Sequence, residues 1–141
     1  MSFGGEIKIF KIDKIEKKNS LNVSVEKWIS KVGTLYYDDS LDLLFVGGSK
    51  FDKIENISNS VVSIFDFKEK RINHCNSICF NSTKMKKNFD MTVIIKISLS
   101  PDREMLCTLD LSGNISVLSL TQQQNLKTFP VSSLLGKEIK G

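Results

Sequence analysis

Apolar and polar positions alternate along most of this chain with the period of a β-strand. Residues 6–12 (EIKIFKI) set Ile7, Ile9 and Ile12 among lysines, and residues 22–28 (NVSVEKW) put Val23 and Val25 on one face. LDLLFVGG (41–48), SVVSIFDF (60–67), VIIKISL (93–99), EMLCTLD (104–110) and NISVLSL (114–120) are short runs rich in β-branched and aromatic residues, with turn residues between them. No window carries a capped pattern of period 3.6. The tail VSSLLGKEIK (131–140) is the best helix candidate. The chain reads as all-β.

The runs repeat. Residues 34–48 lie without a gap over residues 96–110, so that Leu35 falls on Ile97, Tyr37 on Leu99, Leu43 on Met105 and Leu44 on Leu106. Asp38-Asp39-Ser40 falls on Ser100-Pro101-Asp102, and residues 60–67 fall on 113–120 once nine extra residues are allowed in the first hairpin. The opening residues 5–12 match that third strand. Strand, four-residue turn, strand, hairpin, strand and a more polar outer strand is the pattern of a β-propeller blade.

The spacing has a chemical reason. Pro101 pre-sets the backbone for the turn, and Ser100 and Asp102 can bond the local backbone. Gly113 stands where the next hairpin needs a positive φ. Runs such as 93–97 are expected to be buried on both faces, with Leu106 and Ile115 between packed sheets. The sequence therefore predicts about two and a half four-stranded blades of a partial, WD40-like propeller. Residues 1–30 end one blade, 31–80 form a second, 81–90 are a basic linker, 91–130 form a third, and 131–141 are a tail. Repeats bury their faces only against neighbours, so the chain is expected to be part of a larger ring, with residue 1 falling inside a blade.

These segments resemble the N-terminal propeller of the neuroblastoma-amplified sequence family. The residues concerned are LYYDDSLDLLFVGG (35–48), an insert ahead of VVSIFDF, and IIKISLSPDREMLCTLDLSGNISVLSL (94–120). Arg103 stands where that pattern usually has a small residue, often glycine, and VLSL replaces a tryptophan-containing strand end. The resemblance implies a non-catalytic scaffold within the endoplasmic-reticulum tether that receives retrograde vesicles from the Golgi. Its partners would be protein subunits of the syntaxin-18-type SNARE assembly, and its attachment to the membrane would be peripheral and through them. An RNA-associated role in nonsense-mediated mRNA decay is the alternative that the same family implies.

Composition changes this picture little. Lysine and arginine number 20 against 16 acidic residues, a formal charge of +4, which fits a solvated surface better than a dedicated polyanion site. The N-terminus lacks the apolar core of a secretory signal, and no run reaches the length of a membrane span, which predicts a cytoplasmic protein. In that compartment Cys75, Cys79 and Cys107 read as buried structural thiols, and the sequons at Asn22, Asn56, Asn81 and Asn114 carry no meaning.

Candidate chemistry is sparse. HCNSIC (74–79) offers two thiols beside His74, but zinc wants four ligands and no second pair is near in sequence. His74 has no nucleophile elbow to serve. FVGGSK (45–50) fails the phosphate-loop spacing and reads as a turn at Gly47 and Gly48, while LGKE (135–138) lacks the upstream glycine. Asp38 and Asp39 read as turn residues, and Trp28 as a cap on the blade core. STKMKKNFD (82–90) is the most basic loop. Lys84, Lys86 and Lys87 there are the candidate contacts for phosphate or acidic lipid, beside Phe89. No cofactor, metal or small-molecule substrate is expected.

Overall fold

The computed structural model describes residues 6–13, 17–68, 71–85 and 90–134, with side chains from residue 24 onward except Lys68. Among them the fold is all-β. Strands β1 (Glu6–Asp13) and β2 (Lys17–Ser24) form an antiparallel pair. β3 (Lys31–Asp38), β4 (Leu43–Asp52), β5 (Ile57–Lys68) and β6 (Arg71–Lys84) form one four-stranded antiparallel meander. β7 (Ile94–Leu99), β8 (Met105–Asp110), β9 (Asn114–Ser119) and β10 (Gln124–Pro130) form a second.

The two meanders pack face to face. Phe45, Val62, Ile64, Ile78 and Phe80 of the first sheet meet Ile94, Ile97, Leu106 and Leu118 of the second. The opposite face of the first sheet is covered by Val25 and Ile29, which join Leu44, Val46, Val61 and Phe65 in a second core. Transfer of such side chains from water supplies roughly 1.5–3 kcal/mol each before chain entropy is charged against it. β4 and β5 are buried on both faces, which is why their sequences read as unbroken apolar runs.

The repeat inferred from the sequence holds in the ladders. Leu35 pairs with Val46 as Ile97 pairs with Thr108, and Tyr37 with Leu44 as Leu99 with Leu106. Leu44 pairs with Phe65 as Leu106 with Leu118, the relation that the nine-residue insertion requires. That insertion lengthens the β4–β5 hairpin. Two irregularities recur as well. The ladder register shifts at Gly33 and Ile95, at matching places in β3 and β7, and again at Cys75 and Leu126, at matching places in β6 and β10. A bulge bends its strand and re-aims the residues beyond it, so matching bulges give the two sheets matching shapes.

The turns follow their chemistry. Ser100 Oγ donates to Asp102 Oδ1 at 2.5 Å, and Asp102 Oδ1 accepts the Glu104 N–H at 3.0 Å. Ser100 Oγ also accepts the Met105 N–H at 3.0 Å, leaving Pro101 at the exposed tip. Gly113 has φ +87°, as the hairpin requires, and Asp110 accepts the Ser112 hydroxyl at 2.6 Å beside it.

Several expectations are corrected. Gly47 and Gly48 lie inside β4, not in a turn, where they admit close neighbours. All three cysteines are exposed; Cys75 sits in a bulge, Cys79 on the outermost strand and Cys107 on the open face of β8. Ile115 is half-buried on that same open face rather than between sheets, and Ile95 is 40% exposed, so the 93–97 run is buried on one face only. β2 ends at Ser24, and residues 26–28 turn so that the Trp28 N–H reaches the Val25 carbonyl at 2.9 Å. β6 runs through Lys84, into the expected linker. Only residues 132–134 of the tail are helical among those described.

Arg103 has φ +61°, where the sequence pattern wanted glycine. A non-glycine residue there costs on the order of 1 kcal/mol. Its Nε donates to Asp38 Oδ2 at 3.2 Å and its Nη1 to the Pro101 carbonyl at 3.0 Å. Arg103→Gly is therefore expected to be nearly neutral in urea unfolding, since relief of strain offsets the lost pair. Arg103→Ala, which keeps the strain, is expected to lose about 1 kcal/mol.

Candidate interaction surface

Asp90 organises the junction between the two meanders. It is 7% exposed, and its carboxylate accepts from Ser49 Oγ at 2.5 Å, Ser58 Oγ at 2.9 Å, and Thr92 N and Oγ1 at 3.0 and 2.6 Å. Ser60 Oγ donates to the Thr92 carbonyl at 2.7 Å. β4, β5 and the lead into β7 are thus tied through one acid. Burial raises its pKa, but the hydrogen bonds outweigh burial and hold the carboxyl below the usual carboxylate range.

Asp90→Ala leaves Ser49 Oγ without its acceptor and the Ser58 and Thr92 hydroxyls with only each other, and is expected to cost about 2–4 kcal/mol, read as a lower urea midpoint at pH 7. The folded pKa lies below the unfolded one, so this stabilisation is present above about pH 4 and is lost as pH falls through the folded value.

A shallow pocket of about 220 Å³ adjoins the clasp, bordered by Lys84, Met85, Met91 and Asp90. Its one carboxylate is already taken up by internal donors. Lys84 is exposed at the end of β6. Lys86 and Lys87 of the basic triplet, and their neighbour Phe89, lie outside the described residues.

Turn groups from the two sheets also meet. Asp38, 7% exposed, accepts from Ser40 Oγ and the Leu41 N–H, both at 2.8 Å, in addition to Arg103. These donors overcome the upward pull of burial and lower its pKa. Tyr37 Oη donates to Asp42 Oδ1 at 2.5 Å, and that bond raises the phenol to about 12. Asp38 bonds the turn and Asp39 lies in it, as expected.

His74 stacks on Trp28 with ring centroids 4.0 Å apart and planes 9° apart, while Trp28 meets Phe65 edge-on at 5.6 Å. Burial and the nearby Lys27 lower the His74 pKa, so the ring is neutral at pH 7. His74 Nε2 lies 2.8 Å from Ser77 Oγ, which lies 2.7 Å from Ser63 Oγ. This has the look of a base poised on a nucleophile. The second sheet carries the same arrangement without a base. There, Asn125 Nδ2 donates to Thr128 Oγ1 at 2.8 Å, and Thr128 Oγ1 lies 2.9 Å from Ser116 Oγ, at matching ladder positions. In both sheets the hydroxyls join the outer strand to its neighbour. Asn81 reaches across from β6 to Ser116 at 3.0 Å. No group of three or more His, Cys, Asp or Glu suited to a metal occurs among the described residues.

What remains open is apolar. On the second sheet Met105, Cys107 and Leu109 of β8 and Ile115 and Val117 of β9 share the face turned away from the first sheet. Met105 is 40% exposed and Cys107 is exposed, while Leu109, Ile115 and Val117 are half-buried. On the far side of the first sheet, Leu35 and Tyr37 of β3 are 49% and 47% exposed. Contiguous apolar surface of this kind on a sheet marks a place for another element. The sequence pointed to lysines and turns; it could not separate these faces from the core, because both read as the same alternation.

No protein-family model matches the chain, and no curated protein matches it. No helix among the described residues is long and apolar enough to cross a membrane.

Proposed function

We propose that this chain is a non-catalytic interaction scaffold of the β-propeller type, with its two meanders as consecutive blades and β1–β2 as the outer half of a preceding one. The observation that carries the reading is the shared ladder register, bulges included, between two sheets stacked with opposite faces in contact. Stacking of that kind is head-to-tail, the mode by which repeats build a continuous core. Exposed apolar residues on the sheets and exposed turns suit assembly with other proteins.

The partner class comes from the sequence resemblance: subunits of an endoplasmic-reticulum tether of the syntaxin-18 type, with the chain held at the membrane through them. Fold alone would not choose that role. Gel filtration of the purified chain with the purified tether subunits tests it. A co-eluting complex supports the reading, and separate elution at tens of micromolar removes it. Salt-dependent binding of a single-stranded RNA, abolished in the Lys84→Ala, Lys86→Ala, Lys87→Ala triple variant, would move the chain to the RNA-associated class instead.

A further inference from the structure

The turn between β7 and β8 holds a residue that stability does not account for. Arg103 sits at φ +61°, and the pair it makes with Asp38 is expected only to offset that strain. A strained residue kept at an exposed turn points to a use beyond folding. Its neighbours indicate which use. Ser100-Pro101-Asp102-Arg103 has a serine, a proline directly after it and a cation two residues beyond, the pattern that proline-directed protein kinases recognise. The chain has two prolines, and Pro130 follows Phe129, so Ser100 is its one Ser/Thr-Pro position. The matching turn of the first sheet, Asp38-Asp39-Ser40-Leu41, is built without the proline or the cation. The fold therefore does not require them. Pro101, Asp102, Arg103 and Glu104 are exposed and Ser100 is half-buried. The residue before a proline is also biased towards extended backbone, the form that a kinase cleft accepts.

We propose that Ser100 is a phosphorylation site for a proline-directed protein kinase, and that Arg103 is the group that receives the phosphate. The γ-phosphoryl group of a nucleoside triphosphate passes to Ser100 Oγ. The new O–P bond forms as the bond to the departing nucleoside diphosphate breaks, and the hydroxyl proton leaves to solvent. Ser100 Oγ then no longer donates to Asp102 Oδ1, 2.5 Å away. A group of charge about −2 stands beside that carboxylate and repels it. The cation in the turn is Arg103, whose main-chain N–H reaches the Ser100 carbonyl at 2.9 Å and whose Nη1 reaches the Pro101 carbonyl at 3.0 Å. Its hold on Asp38 is a single Nε bond at 3.2 Å, whereas a phosphate dianion can take two parallel bonds from the guanidinium. Arg103 accordingly leaves Asp38, which keeps Ser40 and Leu41 as donors. Phosphorylation exchanges a link between the turns of the two sheets for one within a single turn. This holds whichever partner the sheets serve.

The full chain, incubated with a cyclin-dependent protein kinase and ATP, is expected to take one phosphate, mapped to Ser100 by tandem mass spectrometry. Ser100→Ala should take none. Phosphorus NMR titration of the modified chain reads the part played by Arg103. Arg103→Gly, expected to be as stable as the wild type, is the comparison, and both keep Asp102. The phosphate should titrate at least about half a pH unit lower in the wild type than in Arg103→Gly. Failure to modify the folded chain overturns the site, as does a phosphate that Ser100→Ala still takes. Where the folded chain fails and a peptide of residues 94–110 is modified under the same conditions, the turn itself withholds the hydroxyl. Equal titration midpoints overturn the exchange at Arg103.

Discussion

Leu106→Asp is expected to abolish folding, and Ile115→Asp, in the neighbouring strand, to leave a folded protein. Leu106 is fully buried between the two sheets, in contact with residues of both. A carboxylate there has no donor to meet it and either ionises in a dry core or folds only when protonated. The expected loss is more than about 4 kcal/mol, a large part of the 5–15 kcal/mol that holds a typical domain together. Ile115 points to the open face, where water reaches it. The cost there is confined to strand preference and partial burial, about 1 kcal/mol. Thermal melting of the two variants decides the matter: a cooperative transition in Leu106→Asp, or none in Ile115→Asp, would reverse the assignment of faces.

Gly48→Ala should be the second severe change. An added Cβ would stand 1.8 Å from the Lys31 carbonyl oxygen and 3.0 Å from Ile29. The first of these is main chain, which cannot swing aside as a side chain can. Either β3 separates from β4 at this point or the 24–30 segment lifts from the core it caps. Overpacking usually costs 1–3 kcal/mol; with backbone as the obstacle, at least about 3 kcal/mol is expected. Gly33→Ala should behave alike, since its Cβ would stand 2.1 Å from the Ile94 carbonyl between sheets. Urea unfolding monitored by Trp28 fluorescence reads both. Wild-type midpoints would mean that neither approach is as close as described.

These two cases mark what was legible beforehand. Period-two patterning and the self-alignment were enough to place β4, β5 and β7–β9 and to match the two units position by position, down to the insertion in one hairpin. Those segments are short, apolar and bounded by turn chemistry, so local preference and tertiary packing agree. The outer strands β6 and β10 were visible only as polar stretches, because they are half-solvated and their stability comes from pairing rather than composition. Which face of β8 and β9 meets the other sheet was not legible. Leu106 and Ile115 differ little in sequence context, and only the stacking order separates them. The role of Gly48 was misread for a related reason: a glycine pair signals a turn or a close approach equally, and spacing alone does not choose. Asp90 gave no signal, since its donors Ser49 and Ser58 are remote in sequence and become neighbours only when β4 and β5 pair.

The hydroxyl relay on the outer strands has a further meaning. Its two copies are alike in geometry and unlike in chemistry: His74 in the first sheet can take up a proton, whereas Asn125 in the second cannot. The fold holds His74 in its neutral form, with a pKa below the ordinary value. As the surroundings acidify through about pH 6.5, the unfolded chain gains a proton that the folded one resists. The strain of mild acid therefore falls on one side of the molecule. β6 and its Trp28 cap carry a load that β10 is spared, and two units built to one plan answer acidity in different ways.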